Sequence, residues 1–210
     1  MCEIWTVGHW TCPEAVFIGL LDAQRIDVLA DVRARPGSRR SPQFAREAMR
    51  EWLERAGIAY VHLEELGGRR RKQDVDPAVN AGWKNPSFKN YADYTLLPEY
   101  QRGIDRLTAL AARSRVAIMC GEPMPWRCHR LLIANTLTAR GWTVRHILGE
   151  SEPRVHELGK WGAQPRVDGD GQVTYPAQRV RRSDLDDGDE PAAQGAEVFR
   201  IGGEHRDGPG

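Results

Sequence analysis

The sequence predicts an α/β domain with three layers: a mostly parallel sheet of about five strands, helices on both faces and a small C-terminal hairpin. Three observations lead there. Short apolar runs alternate with longer stretches of helical period, the pattern of strand-helix-strand units. The run Val116-Ala117-Ile118-Met119 is apolar without interruption, as a strand covered on both faces must be. Finally, most links between these elements are short and carry Gly or Pro, which punctuate local structure.

Taken in order, Ile4-Trp5-Thr6-Val7 is β-prone and stops at Gly8-His9. Pro13 opens an amphipathic helix through Leu21. Ile26 to Val32 is the second strand, followed by a loop, RARPGSRRSPQF, rich in Pro, Ser and Arg. Ser41-Pro42 has the chemistry of a helix start, Ser as cap and Pro in the first turn, and the helix should end at Gly57. Ile58 to Leu63 is the third strand, and a long loop runs from Leu66 to Asn90. Tyr91 to about Arg113 reads as helix with a break at Pro98. After the Val116 strand the chain turns through Gly121, Pro123 and Pro125, then enters a helix that Gly141 closes. Thr143 to Leu148 is the fifth strand, and the Asp-Gly pairs between Val167 and Tyr175 suit a tight hairpin.

A chain of 210 residues has room for one sizeable domain. Residues 1–177 are read as that domain, and 178–210 as an acidic tail expected to stay disordered, since it holds few apolar residues. The formal net charge of +1 hides an asymmetry: Ser183 to Gly210 carries eight acidic and two basic residues, which is −6 and leaves +7 elsewhere. An acidic tail of this kind can compete with anionic ligands for a basic body. Four Cys are too few for a disulfide scaffold and point to thiol chemistry or packing. The opening residues have no basic segment followed by a long apolar one, and no run approaches a membrane span, so a cytoplasmic location without a membrane partner is expected.

Parallel strands deliver the residues that succeed them to one edge of a sheet. Here those residues are Gly8 and His9, then Asp31 and Arg33, then Gly67, Gly68 and Arg69, and finally Cys120, Glu122, Arg127, Cys128, His129 and Arg130. So many ionisable groups at one edge exceed what solubility asks for. Glu122, Cys128, His129 and His9 are the candidate catalytic groups. Cys128 adjoins a helix start among Arg127, His129 and Arg130, all of which favour the thiolate. Glu122 has the chemistry of a general acid or base, or of a carboxylate that braces its loop. Arg33, Arg39, Arg69, Arg127 and Arg130, with Gly67 and Gly68, are candidates for binding an anion. Asp31, Cys120 and His146 are read as structural or orienting: Asp31 shares a face with Arg33, Cys120 ends an apolar strand, and His146 alternates with Val144 and Leu148.

Several motifs are missing. No G-x-x-x-x-G-K-[ST] and no G-x-G-x-x-G occurs, so neither a P-loop nor a dinucleotide cofactor is supported. Cys120 to Arg127 is one residue too long for the C-x5-R phosphate loop. Cys120, Glu122, Cys128, His129 and His9 are ligand types for zinc, but their spacing matches no C-x2-C finger, and no metal is assigned from it. Trp83 and Trp126 are either stacking surfaces for bases or hydrophobic cover.

The motif set resembles the domain-of-unknown-function family 488. It comprises Thr6-Val7-Gly8-His9, Asp31-Val32-Arg33, Pro36, Ser38, Pro42, Phe44, Tyr60, Leu66-Gly67-Gly68-Arg69, Tyr91, Cys120-x-Glu122, Cys128-His129-Arg130 and His146-Ile147, and the resemblance runs from about residue 4 to 177. Trp10 stands where the family pattern has a small polar residue, and Gly121 where it often has Ala. The resemblance implies a compact α/β domain and the same motif positions, without a reaction. Two function classes are carried forward: an enzyme acting on a phosphate-bearing ligand, nucleotide or nucleic acid, and an anion-binding or nucleic-acid-binding module without chemistry. A metal-binding domain is a third. Cofactor and oligomeric state are left open.

Overall fold

The apolar runs become strands of one sheet in the computed structural model, which describes residues 2–37 and 41–178. Five are parallel: β1 (Glu3–Gly8), β2 (Val28–Asp31), β3 (Ala59–His62), β4 (Val116–Cys120) and β5 (Thr143–His146). A sixth, β6 (Arg154–Val155), pairs antiparallel with β5 and gives the order β3-β2-β4-β1-β5-β6. The α/β class with a mostly parallel sheet is therefore right, and one short edge strand is added to it. Two residues carry no readable period, which is why β6 is silent in the sequence. The hairpin is present as β7 (Arg166–Val167) and β8 (Val173–Thr174).

Alternation along the strands divides the core in two. Ile4, Val28, Ala30, Val116 and Ile118 face one side, beneath α3 (Pro86–Tyr94), α4 (Pro98–Ala111) and α5 (Arg130–Ala139). Trp5, Val7, Leu29, Ala117 and Met119 face the other, beneath α1 (Glu14–Ala23) and α2 (Arg46–Arg55). Each fully buried Phe, Leu or Met of these layers contributes about 1.5–3 kcal/mol of burial free energy.

Two helix boundaries differ from expectation. Pro42–Phe44 forms only a 3-10 turn, and α2 begins at Arg46. The Phe44 carbonyl, which a continuous helix would have used, instead accepts from Arg33 Nη1 at 2.8 Å. The long loop after Leu66 ends early, because Asn85 caps α3 by accepting from the Ser87 and Phe88 amides and Pro86 occupies the first turn. The break expected at Pro98 is present, and Pro98 opens α4. The tail after Gln178 and Arg39 lie outside the described residues.

The topology fixes where a ligand site can form. After β1 the chain leaves over the face that holds α1, and after β4 it leaves toward β5 over the face that holds α5. The carboxyl ends of β1 and β4 therefore border a switch point, where a crevice opens in sheets of this type. Their pairing continues beyond the strands: His9 N–H donates to Cys120 O and Trp10 N–H to Gly121 O, both at 3.0 Å. Gly8 is required for this approach, since a Cβ there would fall 2.1 Å from the Glu122 carbonyl oxygen.

Candidate active site

A cavity of about 680 Å³ occupies that crevice. His9 enters it from β1, Arg33 from β2, Gly68 and Arg69 from the loop after β3, and Cys120, Glu122, Arg127, Cys128 and His129 from the turn between β4 and α5.

Cys128 and His129 stand side by side in its wall. Pro125–Arg127 is a 3-10 turn, Cys128 is extended, and His129 caps α5, so both side chains are set by the start of a buried helix. Cys128 Sγ lies 3.4 Å from His129 Nδ1, and His129 Nε2 lies 2.8 Å from the Val32 carbonyl oxygen. A carbonyl only accepts, so Nε2 carries the proton and Nδ1 faces the sulfur. The ring is wedged in place: a Cβ at Gly68 would sit 2.7 Å from Nδ1, and Tyr91 packs against the other side with centroids 5.0 Å apart. Gly68 thus serves His129 as much as it would an anion.

Cys120 Sγ lies within 4.8 Å of Cys128 Sγ. The neighbouring Cys120 thiol is the main cause that holds the Cys128 thiol well below its ordinary range; burial opposes it, while His129 and Arg130 add to it. The same neighbour, then burial, pushes Cys120 well up. The two sulfurs therefore divide into one that favours the thiol and one that favours the thiolate. Arg130, expected to reach the ligand, lies beneath the site. It is fully buried, its Nη1 donates to Thr6 Oγ1, and its Nη2 donates to the Glu122 and Pro123 carbonyls. Among the described residues no carboxylate pairs with it, so the anion that its charge favours is the Cys128 thiolate.

His9 is placed differently. Its Nδ1 donates to the Trp10 carbonyl at 2.8 Å, so Nε2 accepts from Arg33 Nη1 at 3.3 Å. Burial lowers its pKa to about 4, and the ring is neutral at pH 7. It stacks on Phe44 with centroids 4.2 Å apart. Asp31 is fully buried and takes Arg33 Nε and Nη2, the Arg33 amide and the Tyr60 hydroxyl. With Nη1 bonded to Phe44 O as well, the Arg33 guanidinium is turned to the protein on every side, and Asp31 orients it as expected of a structural pair. Gly67 faces Ala34 and gives its amide to Glu64 O. His146 does not line the cavity: Nδ1 meets Thr6 Oγ1 at 2.8 Å and Nε2 meets His156 Nδ1 at 3.0 Å.

Three guanidiniums remain for a ligand. Arg35, Arg69 and Arg127 border the cavity, are exposed, and have no side-chain hydrogen bond or ion pair to any described residue. Arg69 is held outward by a left-handed backbone, φ +58. Sequence reasoning misses Arg35, whose only signal is its place, two residues past Arg33 on the same edge. Glu122 faces the same space, with Oε1 3.5 Å from the Met124 amide. No hydrogen bond joins Glu122, His129 and His9 to one another; His129 is tied to Cys128 and His9 to Arg33.

The fold and this edge define a class: an α/β domain whose sheet switch point holds a thiol–imidazole pair under guanidiniums that have no partner among the described residues. Residues 13–137 match the family model Domain of unknown function DUF488, more than half of the chain, and the chain belongs to that family. No curated protein and no solved structure matches it. The matched span includes Asp31, Arg33, Gly68, Cys120, Glu122, Cys128 and His129, whereas His9 and His146 fall outside it.

Proposed function

We propose that the protein is an enzyme acting on a phosphate-bearing ligand, a nucleotide or a nucleic-acid end, with Cys128 as nucleophile. The observation that carries this reading is the 3.4 Å contact of Cys128 Sγ with His129 Nδ1, opening on a cavity bordered by Arg35, Arg69 and Arg127, which have no partner among the described residues. The guanidiniums hold the phosphate through fork-like hydrogen bonds. His129 takes the thiol proton at Nδ1 while Val32 O fixes the ring through Nε2. The sulfur then attacks the electrophilic carbon or phosphorus of the ligand, and Glu122 delivers a proton to the departing group.

His9 and Arg33 serve as a neutral and a charged wall of the cavity, positioned by Trp10 O and Asp31. A test is calorimetric titration with a nucleotide panel and inorganic phosphate, then turnover assays on the nucleotides that bind. Binding that weakens with salt, and turnover lost in both Cys128→Ser and Glu122→Gln, supports the enzyme. Tight binding without turnover of any bound nucleotide would replace it by the anion-binding module.

A further inference from the structure

Three side chains of the site are arranged in a way that nucleophilic catalysis does not require. Cys120 Sγ, Cys128 Sγ and His129 Nδ1 all lie within 4.8 Å of one another. A tetrahedral zinc ion, with bonds of about 2.3 Å to sulfur and about 2.0 Å to nitrogen, holds such atoms roughly 3.5–3.8 Å apart. The Cys128–His129 pair, at 3.4 Å, already has that separation, and Cys120, within 4.8 Å of both, needs to close by roughly 1.3 Å at most. We propose that Cys120, Cys128 and His129 bind one zinc ion, with the fourth corner open to the cavity.

Five features support the assignment. The ligand set is two sulfurs and an imidazole nitrogen, a combination that selects zinc over magnesium or calcium. His129 donates its other ring nitrogen to the Val32 carbonyl at 2.8 Å, the outer bond that orients metal-ligating histidines. The ring cannot swing away, because Gly68 and Tyr91 flank it. The ligands come from the end of β4 and the start of α5, both rigid and buried, so little order has to be created on binding. All three ligands also line the cavity, which leaves one coordination position for water or a ligand. Spacing hides this set in the sequence, since seven residues separate the two Cys and the His adjoins the second.

The metal site stands on this geometry alone. Its consequence for activity rests on the proposed role of Cys128: an ion that takes the sulfur's lone pair removes the nucleophile, and zinc then acts as a reversible inhibitor.

The test uses full-length, metal-stripped protein. Zinc is titrated against a chromophoric chelator, and cobalt(II) is added separately as a spectroscopic probe. One ion per chain is expected, with a sulfur-to-cobalt band that falls to about half in Cys120→Ser and an affinity lower by about tenfold or more. In the wild-type chain, one equivalent of zinc should protect Cys120 and Cys128 together from iodoacetamide and leave Cys2, which is exposed, unprotected. This last measurement needs no variant and carries its own control. Absence of stoichiometric binding, a cobalt band unchanged in Cys120→Ser, or equal protection of Cys2 would overturn the site. If zinc fails while turnover still depends on Cys128, the metal site alone falls; if zinc binds and nucleotides are neither bound nor turned over, the enzyme reading alone falls.

Discussion

Two clusters of titratable groups sit at the carboxyl edge of the sheet, and they are built to opposite plans. Beyond β5, His146, His156, Asn135 and Tyr175 form a closed chain. His156 Nε2 donates to Asn135 Oδ1, so its Nδ1 must accept from His146 Nε2, whose Nδ1 in turn accepts from Thr6. Asn135 passes the chain on to the Tyr175 hydroxyl at 2.7 Å. All of these side chains are buried, and the direction of every bond is set by its acceptor. Beyond β4 and β1, by contrast, Cys128, His129 and Glu122 meet a cavity with three guanidiniums that no described residue pairs. A polar group whose needs are met inside the protein holds the fold together; one whose needs are left open at a cavity wall is available to a ligand.

The largest expected effect separates the two plans. Cys128→Ser should lower any turnover by about a thousandfold or more, as loss of a nucleophile does, while shifting stability by less than about 1 kcal/mol. His146→Ala should do the reverse, costing about 3–5 kcal/mol through unpaired buried partners and a void. Urea denaturation beside an activity assay checks both. If Cys128→Ser unfolds the protein, the open cluster is structural after all.

Acid should strike the closed chain. Burial, with its His partner and nearby arginines adding, lowers His146 to about 3; burial lowers His156 and His9 to about 4. Their unfolded values lie near 6.5, so between about 4 and 6.5 the unfolded chain binds more protons. The stability these rings contribute is present in full above pH 7, is lost as pH falls through 6.5, and levels off only below about 3, where His146 titrates. The slope from three protons approaches about 4 kcal/mol per pH unit. His146→Gln and His156→Gln should each flatten it, and a slope unchanged in both would remove the closed chain as its source.

Among the thiols, Cys128 should react with iodoacetamide faster than Cys120 at neutral pH, and inorganic phosphate should slow it. Timed alkylation read by mass spectrometry decides this; equal rates would mean that the two sulfurs are not divided into thiol and thiolate. The smallest effect belongs to the rim: Arg127→Gln should weaken phosphate binding a few-fold and reduce its salt dependence without changing stability measurably.

The strands, the edge and the convergence of Cys128, His129, Glu122 and His9 on it are legible in the apolar runs and in the polar residues directly C-terminal to each run. The roles of individual residues are less legible. Arg130 and Arg69 look alike as letters, yet one lies under α5 and the other faces solvent, because only the packing of a helix says which side of its first turn is inward. Arg33 carries five donors in any chain; that Asp31, Phe44 and His9 share them is a matter of distant contacts. The pairing of Cys120 with Cys128 needs the turn through Pro123 and Pro125 to double back, which spacing does not reveal. His156, which completes the closed chain, sits in a segment with no period at all.

Trp10 has a consequence of another kind. Its backbone is left-handed, φ +45, held by bonds from its amide to Gly121 and to its carbonyl from His9, and its indole is 55% exposed at the cavity mouth. A non-glycine residue in that conformation costs about 1–2 kcal/mol, and an exposed indole recovers little of it by packing. Trp10→Gly should therefore raise stability and widen the mouth together. A position that the fold tolerates at a loss is the one most open to replacement, so the entrance of this cavity can be rewritten for a different ligand while the machinery behind it stays as it is.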